Sequence, residues 1–491
     1  MKKPGKKLED KLRLTLGDEF RRRHGYGMME DKIKPVHLAN ALLRATHQRS
    51  GDLKDIQQLM TATASRSSAD EKRKAVEILI ERSRDRWGRL GEPANRDSLK
   101  RRVLPLLRRL LASDGATYGV TPDKSSFSVP TASLATPDVS DDHAGQMVYR
   151  LWEGAGTGDP VLLRVLEAVS DPKISPDSMD DLTAVLLPLA GEPRERKRAA
   201  WLGEDLSSGK LSQVELHLRD AARDLERFEL AARANPIAAL QRIVLLASLT
   251  VFTHASTRAA ERGHRDRVPL LIDASDLPSS AIADASTQLV AKLLDDAKHY
   301  MARVLCEMLE GARSSQNEAI EDIVARLVGG TDSAVREVLA EVGPEDPEDL
   351  LDIATQLLDP LDKRSLPGYV RSLGWRTGLL YPVEKNPRKR VVPTDRTLEV
   401  LVLTTFDATG RPLELSDFLD AMYTRWGMVC GGRTEDGVIL ESAGVSIGAH
   451  ELADNGERFL SRLEAIGLAK RFADSVAMVG VFGGGGDHAG D

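Results

Sequence analysis

The chain has 491 residues, enough for two to four domains. Apolar residues make up 41% of it but aromatic ones only 4%, so Leu, Ala and Val must do most of the packing, which suits a mainly α protein. Charged residues at 29% point to a soluble protein. The two cysteines, Cys306 and Cys430, are too few and too far apart for a disulfide framework or a zinc set, and a reducing cytoplasm is the expected home. The net charge of −7 hides a segregation. Residues 1–110 hold 28 Lys and Arg against 15 Asp and Glu, whereas the rest of the chain holds 40 against 60. Such a split predicts that the two parts face different partners.

Residues 1–112 read as a basic helical region. "MKKPGKKLEDKLRL" has the positive start of a signal peptide without an apolar run behind it. "DEKRKAVEILIERSRDRWGRL" carries Val76, Ile78, Leu79 and Ile80. "NRDSLKRRVLPLLRRLLASDG" places Leu99, Val103, Leu106, Leu107, Leu110 and Leu111 near one helical stripe, with Pro105 implying a kink or break. Residues 113–145, rich in Ser, Thr, Pro, Asp and Gly, read as a linker.

From 146 to 383 the pattern predicts a central helical domain with one short strand. Val214, Leu218, Ala221, Leu225, Phe228 and Ala232 form a one-sided stripe. The next helix opens with Asn235 as N-cap and Pro236 at its first position and stops near Gly263. Its run Ile243–Phe252 is about half the length a bilayer requires and reads as a buried core. Further helices are expected over 282–313, 316–328, 332–342 and 347–358. Val268–Ile272, short, apolar and partly β-branched, is the strand.

Residues 384–482 predict a winged-helix-like domain, and 483–491 a disordered tail. "DRTLEVLVLTTFDATG" suits a first helix and "RPLEL" a strand. "SDFLDAMYTRWG" suits a second helix, with Ser416 as N-cap and Gly427 as its stop. A long Gly-rich interruption, 428–449, precedes a third helix over 450–466, with Leu452, Phe459, Leu460, Leu463 and Ile466 inward and Gly467 as its stop. Leu468–Phe472 and Val476–Phe482 read as a hairpin.

No catalytic motif appears. "EGAGTGDP", Glu153–Pro160, lacks the lysine and hydroxyl of a phosphate loop, the ten histidines form no ligand spacing, and no nucleophile elbow occurs. No metal or other cofactor is expected. Asp273 and Asp276 are the best carboxylate pair; capping or turn formation is favoured for them over a metal-dependent nuclease. Cys306, His254 and His299 are expected as buried structural residues, and Trp375 and Trp426 as core.

Charge decides how the C-terminal domain is read. Residues 395–482 hold 8 Lys and Arg against 14 Asp and Glu, a poor surface for a duplex and a better one for a protein. Nucleic acid, if met, should be met by Lys2, Lys3, Lys6, Lys7, Arg21, Arg22, Arg23, Arg101, Arg102, Arg108 and Arg109, with Lys385, Arg388, Lys389 and Arg390 as a second basic arm. A solvated basic face is the competing reading, and DNA is not distinguished from RNA.

"VPLLIDASDLPSSAIADAS", together with stretches of 374–479 such as "DFLDAMYTRWGMVCGG" and "RFLSRLEAIGLAKRFADSVAMV", resembles accessory proteins encoded beside large ATPases in bacterial anti-phage gene clusters of the methylation-associated defence type. The resemblance covers about a third of the chain and carries over no catalytic residue. It implies a non-catalytic subunit that works with an ATPase or a modification–restriction machine. Other defence-system subunits are the expected partners, and no membrane is expected. A winged-helix transcription regulator stands as a further alternative.

Overall fold

The computed structural model describes residues 6–29, 33–50, 68–82, 89, 92–106, 135, 139–154, 160–170, 194–195, 203–207, 209–232, 236–275, 277, 279–316, 347–358, 361, 364–383, 386, 388–405, 411–472 and 476–482. The protein is mainly helical. In chain order the helices are α1 (Lys6–His24), α2 (Pro35–His47), α3 (Ala69–Arg82), α4 (Ala144–Glu153), α5 (Leu163–Ser170), α6 (Gly203–Ser207), α7 (Gln213–Ala232) and α8 (Pro236–Arg262). They continue as α9 (Ala281–Gln316), α10 (Pro347–Leu358), α11 (Leu366–Arg376), α12 (Asp395–Leu403), α13 (Leu415–Trp426), α14 (Asp436–Ser442) and α15 (Ala449–Ala465). Short helical turns follow one another from Pro93 to Val103. The strands are two or three residues long: β1 (Arg49–Ser50), β2 (Arg194–Glu195), β3 (Leu270–Leu271), β4 (Leu380–Tyr381), β5 (Arg390–Val391), β6 (Leu413–Glu414), β7 (Met428–Val429), β8 (Ala469–Arg471) and β9 (Ala477–Val479).

Two compact units divide the chain. One comprises Met1–Lys32, Gly203–Ala231 and Ser248–Asp491; the other comprises Ile33–Leu202 and Ala232–Ala247. Composition drew the boundaries at 112, 145 and 383, whereas the contacts group residues 1–32 with the C-terminal half. The reason is that α1 buries Leu12, Leu16 and Phe20 against α6 and α9.

In the unit holding Ile33–Leu202, α2 begins on Pro35, whose fixed φ suits a first helical turn. It buries Val36, Leu38, Ala39, Leu42 and Leu43 and packs on α4 and α5. Helix α4 crosses α2 closely: a Cβ on Gly145 would lie 2.6 Å from that of Ala41. The α3 helix opens with a reciprocal box in which Ser68 N donates to Glu71 Oε2 at 2.7 Å and Glu71 N to Ser68 Oγ at 3.2 Å. It buries Ala75, Leu79 and Ile80 and leaves Ile78 outward. Of the stripe expected beyond it, Leu99 and Leu104 are buried but Leu106 is 56% exposed; Leu107, Leu110 and Leu111 lie outside the described residues.

In the other unit α9 is the central element, packed on by α1, α10, α11, β3 and β5. Ser280 caps it, accepting from Ala283 N at 3.0 Å. Helix α8, whose residues up to Ala247 belong to the unit holding Ile33–Leu202 and whose residues from Ser248 belong to this one, has Pro236 at its start, and Asn235 lies outside the described residues. The helix is apolar and long enough to cross a membrane by composition, but 78% of its most apolar stretch is buried within the protein, as a core helix is. The α7 stripe is buried at Val214, Leu218, Ala221 and Leu225 and fades at Phe228 and Ala232. The helices expected over 316–328 and 332–342 fall outside the described residues, whereas α10 occupies Pro347–Leu358. Trp426 is buried as expected; Trp375 is only half-buried, with the Arg376 guanidinium 4.8 Å above its ring, because its helix face meets solvent.

The strand expected at 268–272 is realised as β3. It pairs in parallel with β7, Leu270 opposite Met428 and Leu271 opposite Val429. Ile272 bridges in parallel to Val391, which joins the antiparallel pair β4–β5 to the same row. The 428–449 interruption thus contains a strand, β7, and a helix, α14. Beyond residue 394 the elements run α12, β6, α13, β7, α14, α15, β8, β9, and the three-stranded antiparallel sheet has the order β6–β9–β8. The Ser416 N-cap is not observed: α13 starts at Leu415 after Glu414, which makes no side-chain cap. Gly427 and Gly467 take positive φ of 70° and 77° at the ends of α13 and α15, the conformation that stops a helix.

Candidate functional site

A buried cluster of titratable groups lies at the end of α1. Five segments supply it: His24 as the last residue of α1 with Tyr26 just beyond, Asp205 on α6, Glu215 on α7, His254 and Arg258 on α8, and Tyr300 on α9. His24 Nδ1 lies 2.6 Å from Asp205 Oδ2 and its Nε2 lies 2.7 Å from the Tyr300 hydroxyl. His254 Nδ1 lies 2.8 Å from the Tyr26 hydroxyl, and its Nε2 lies 3.4 Å from Glu215 Oε1. Arg258 Nη2 donates to Glu215 Oε1 and to Ser212 Oγ, each at 2.8 Å, and Arg262 Nη2 donates to Asp205 Oδ1 at 2.8 Å.

Burial alone would raise both carboxyls. Hydrogen bonds to His24 and His254 and the charge of Arg258 overcome it, holding Glu215 at about 2 and Asp205 well below the usual carboxylate range. Burial pushes the His24 imidazole down and the Tyr26 and Tyr300 phenols up. The consistent state is two ionised carboxylates, Arg258 as their shared cation, and a neutral His24 that donates from Nδ1 and accepts at Nε2.

Asp205, Glu215 and His254 each offer a ligand atom, all within 4.8 Å of one another, a spacing that could hold a metal ion. The chemistry of the donor set argues otherwise. The Arg258 guanidinium stands between the two carboxylates, Nη2 at 2.8 Å from Glu215 and Nε at 3.6 Å from Asp205, and already supplies the positive charge a cation would bring. The imidazoles and Glu215 are shielded from solvent, so no substrate reaches them. The arrangement is an ion-paired joint that ties α1 to α6, α7, α8 and α9.

A second polar centre lies at the tip of the parallel strands. Asn455 on α15 donates from Nδ2 to Ile272 O at 2.8 Å and to Cys430 O at 2.7 Å, and its Oδ1 accepts from Ala274 N at 2.9 Å. One amide thereby closes the ends of β3 and β7. Asp273 beside it accepts from Ser275 N at 2.9 Å and Ser275 Oγ at 2.5 Å, with Arg390 Nη1 3.2 Å from its other oxygen. Asp273 is a turn former held by an arginine, and Asp276 lies outside the described residues. His254 is a satisfied core histidine. Cys306 is a buried thiol whose burial pushes its pKa up to about 11, far from a reactive thiolate.

The sequence-derived basic residues are described only in part. Lys2, Lys3, Arg108, Arg109 and Lys385 lie outside the described residues, and Lys6 and Lys7 open α1. Arg21 pairs with Asp18, Arg22 with Glu19 and Glu204, and Arg23 with Glu19 and Glu307. Arg101 stands 3.7 Å from Asp97 with both side chains in solvent, and Arg102 and Arg388 are exposed. The expected second arm is corrected at two positions. Lys389 is buried with Nζ donating to Pro382 O, and Arg390 turns to Asp273 and lies 5.5 Å above the Tyr381 ring. Both are drawn inward because the β4–β5 ribbon folds back on the end of β3. No family model, curated protein or solved structure matches the chain.

Proposed function

We propose that this protein is a non-catalytic subunit of a bacterial anti-phage defence complex. It docks partner proteins through its acidic central and C-terminal surfaces, and it touches nucleic acid through the basic start of the chain. The resemblance in sequence supplies the defence setting. The observation that carries the docking reading is the fate of the cations on α15 and the β8–β9 hairpin. Arg462 Nη2 lies 2.8 Å from Asp395, and Arg471 lies 3.0 Å from Glu457 and 3.2 Å from Glu464. The order α12, β6, α13, α15 and the β8–β9 hairpin, interrupted by β7 and α14, with strand order β6–β9–β8, supports a winged-helix-like domain. In such a domain α15 would be the helix offered to a groove. Here Arg462 of α15 and Arg471 of β8 are held by the domain's own carboxylates while Arg458 stays exposed, and that balance suits a protein partner better than a duplex.

The nuclease alternative loses its support at Asp273, which is committed to Ser275 and Arg390. For nucleic-acid contact the remaining candidates are Lys2, Lys3, Lys6, Lys7, Arg101, Arg102, Arg108, Arg109, Lys385 and Arg388. The test is fluorescence anisotropy of the full chain with labelled DNA and RNA duplexes over a salt series. Binding that weakens steeply with salt, and is lost when Lys2, Lys3, Lys6 and Lys7 are changed together to Glu, is the expected result. Binding indifferent to those changes refutes the N-terminal contact.

A further inference from the structure

The three-stranded sheet of the C-terminal domain has an open edge. Among the described residues β8 pairs with β9 alone, Lys470 opposite Met478 and Arg471 opposite Ala477. Gly480 N donates to Leu468 O and Phe472 N to Val476 O, each at 2.9 Å, so Leu468, Lys470 and Phe472 turn their backbone groups into that ladder. Antiparallel pairing alternates, so the amides and carbonyls of Ala469 and Arg471 point away from β9. None of the four meets a partner among the described residues. The side chains alternate as well. Arg471 reaches Glu457 and Glu464 of α15, so it and Ala469 lie on the covered face. Lys470 and Phe472 lie on the open face with Val476 and Met478. Phe472 is 44% exposed, and Lys470 holds its ammonium 5.3 Å above that ring with no carboxylate partner among the described residues.

Unpaired backbone at a sheet edge is a template for one more strand, and the side chains beside it select which strand is accepted. We propose that β8 receives an extended segment of a partner protein by strand addition, with a carboxylate of that segment beside Lys470 and an apolar side chain beside Phe472. The inference rests on the protein-docking reading of this domain and supplies the mode of docking and the chemistry of the partner. Ala469 and Arg471 each offer one N–H and one C=O to the added strand. A second copy of this chain is a poor occupant. The antiparallel self-pairing that uses the outward groups of both residues in both copies sets Lys470 directly opposite its copy, and like charges so placed destabilise a pair. A strand that carries an acidic and an apolar residue two positions apart presents both on one face. It meets Lys470 with opposite charge and covers the exposed ring of Phe472.

Fluorescence anisotropy of the full chain with labelled peptides of about seven residues, enough for a short strand, tests this. One peptide carries a glutamate and, two positions on, a leucine in a valine and threonine background. A second has lysine in place of the glutamate, and a third is the first with its backbone amides N-methylated. The first should bind at least about tenfold more tightly than either of the others. Lys470→Glu should reverse the preference between glutamate and lysine peptides. Arg471→Pro removes one outward N–H without touching the β8–β9 ladder, and it should weaken binding at least about tenfold with the thermal transition preserved. If Arg471→Pro does not fold, the reversal in Lys470→Glu decides. No saturable binding of the glutamate peptide at about 1 mM, equal binding of its N-methylated form, or an unchanged preference in Lys470→Glu overturns strand addition and leaves the docking reading standing. A labelled DNA duplex that binds the full chain at physiological salt and loses affinity on Arg471→Ala overturns the docking reading, and the proposal with it.

Discussion

His24 Nδ1 lies 2.6 Å from Asp205 Oδ2 across 181 residues of chain, with both side chains shielded from water. The contact fastens the end of α1 to α6, and Tyr300 completes the fastening from α9. Changing His24 to Ala removes both hydrogen bonds at once and leaves the Tyr300 hydroxyl and one carboxylate oxygen short of a partner. A loss of about 3 kcal/mol is expected, since truncating one member of a buried polar pair strands the other. The denaturant midpoint of the variant, with an unchanged m-value, is the measurement. A change below about 0.5 kcal/mol, the usual effect at an ordinary surface site, would remove the network from the account of stability.

The same network sets a pH dependence with two windows. His24 has its folded pKa lowered by burial, so the unfolded chain binds the proton more readily. Stability is then complete above the unfolded value, about 6.5, and falls as pH drops below it. Asp205 and Glu215 also have lowered folded values, so their contribution is present above the usual carboxylate range and is lost as pH falls from about 4.5 towards the folded values. Urea midpoints at successive pH values should decline first between pH 7 and 5 and again below it. In His24→Gln the first decline should shrink while the second stays. A flat profile from pH 7 to 5 in the unaltered chain contradicts the assignment of a neutral buried imidazole.

Asn455 is the second point where one side chain decides the packing of remote strands. Its three hydrogen bonds to Ile272 O, Cys430 O and Ala274 N need two donors and one acceptor in a fixed plane, which only an amide provides. Asn455→Ala should cost about 3 kcal/mol by orphaning buried backbone groups. Asn455→Asp should cost more, because a carboxylate would face two carbonyl oxygens. Thermal unfolding of the two variants, ranked against each other, checks this. Asp tolerated better than Ala would mean that a cation or a repacked loop takes over.

Gly431 shows how closely this region is built. Its φ is +86°, and a Cβ there would lie 2.0 Å from Leu452 O. Gly431→Ala therefore combines a left-handed backbone with a clash against α15, and the expected result is loss of soluble, cooperatively unfolding protein. Gly444→Ala is the control. It too has positive φ, 87°, but nothing lies within 4 Å of the added methyl, so only the conformational cost of roughly 1 kcal/mol applies.

How much of this was legible follows from distance along the chain. Helices announce themselves locally: Pro236 opens α8, the apolar period marks α10, and Gly427 and Gly467 stop their helices. Strands of two residues carry no alternation. Leu270–Leu271 stood out because of its apolar flanks, while its partner Met428–Val429 was hidden in a glycine-rich stretch. The His24–Asp205–Glu215–His254 joint was illegible, since its members come from four helical neighbourhoods with no shared motif. The only local hint was Arg258 and His254 set on an otherwise apolar helix, charges that must find partners once buried. Charge counting gives sums but not pairings for a related reason. Arg22 and Arg23 reach Glu204 and Glu307, and Arg390 reaches Asp273, across long stretches of chain that only the fold brings together.

That lesson yields a prediction for the C-terminal face. Arg471 bridges Glu457 and Glu464, so the carboxylates of α15 both cancel its charge and present their own to any approaching phosphate. Changing Glu457 and Glu464 together to Lys would free Arg471 and reverse two charges on one exposed helix face. Exposed pairs contribute little to folding, so stability should move by less than about 1 kcal/mol. Each added phosphate contact should steepen the salt dependence of duplex binding by close to one unit in the log–log slope. Anisotropy with the full chain should therefore show stronger, more salt-sensitive DNA binding than the unaltered protein. If the double variant binds no better, repulsion by these two glutamates is not what keeps the helix off DNA, and the shape of the face has to be blamed instead. If the unaltered face already binds duplex at physiological salt, with affinity lost on Arg471→Ala, the ion pairs are not holding that arginine, and the protein-docking reading of the domain falls with them.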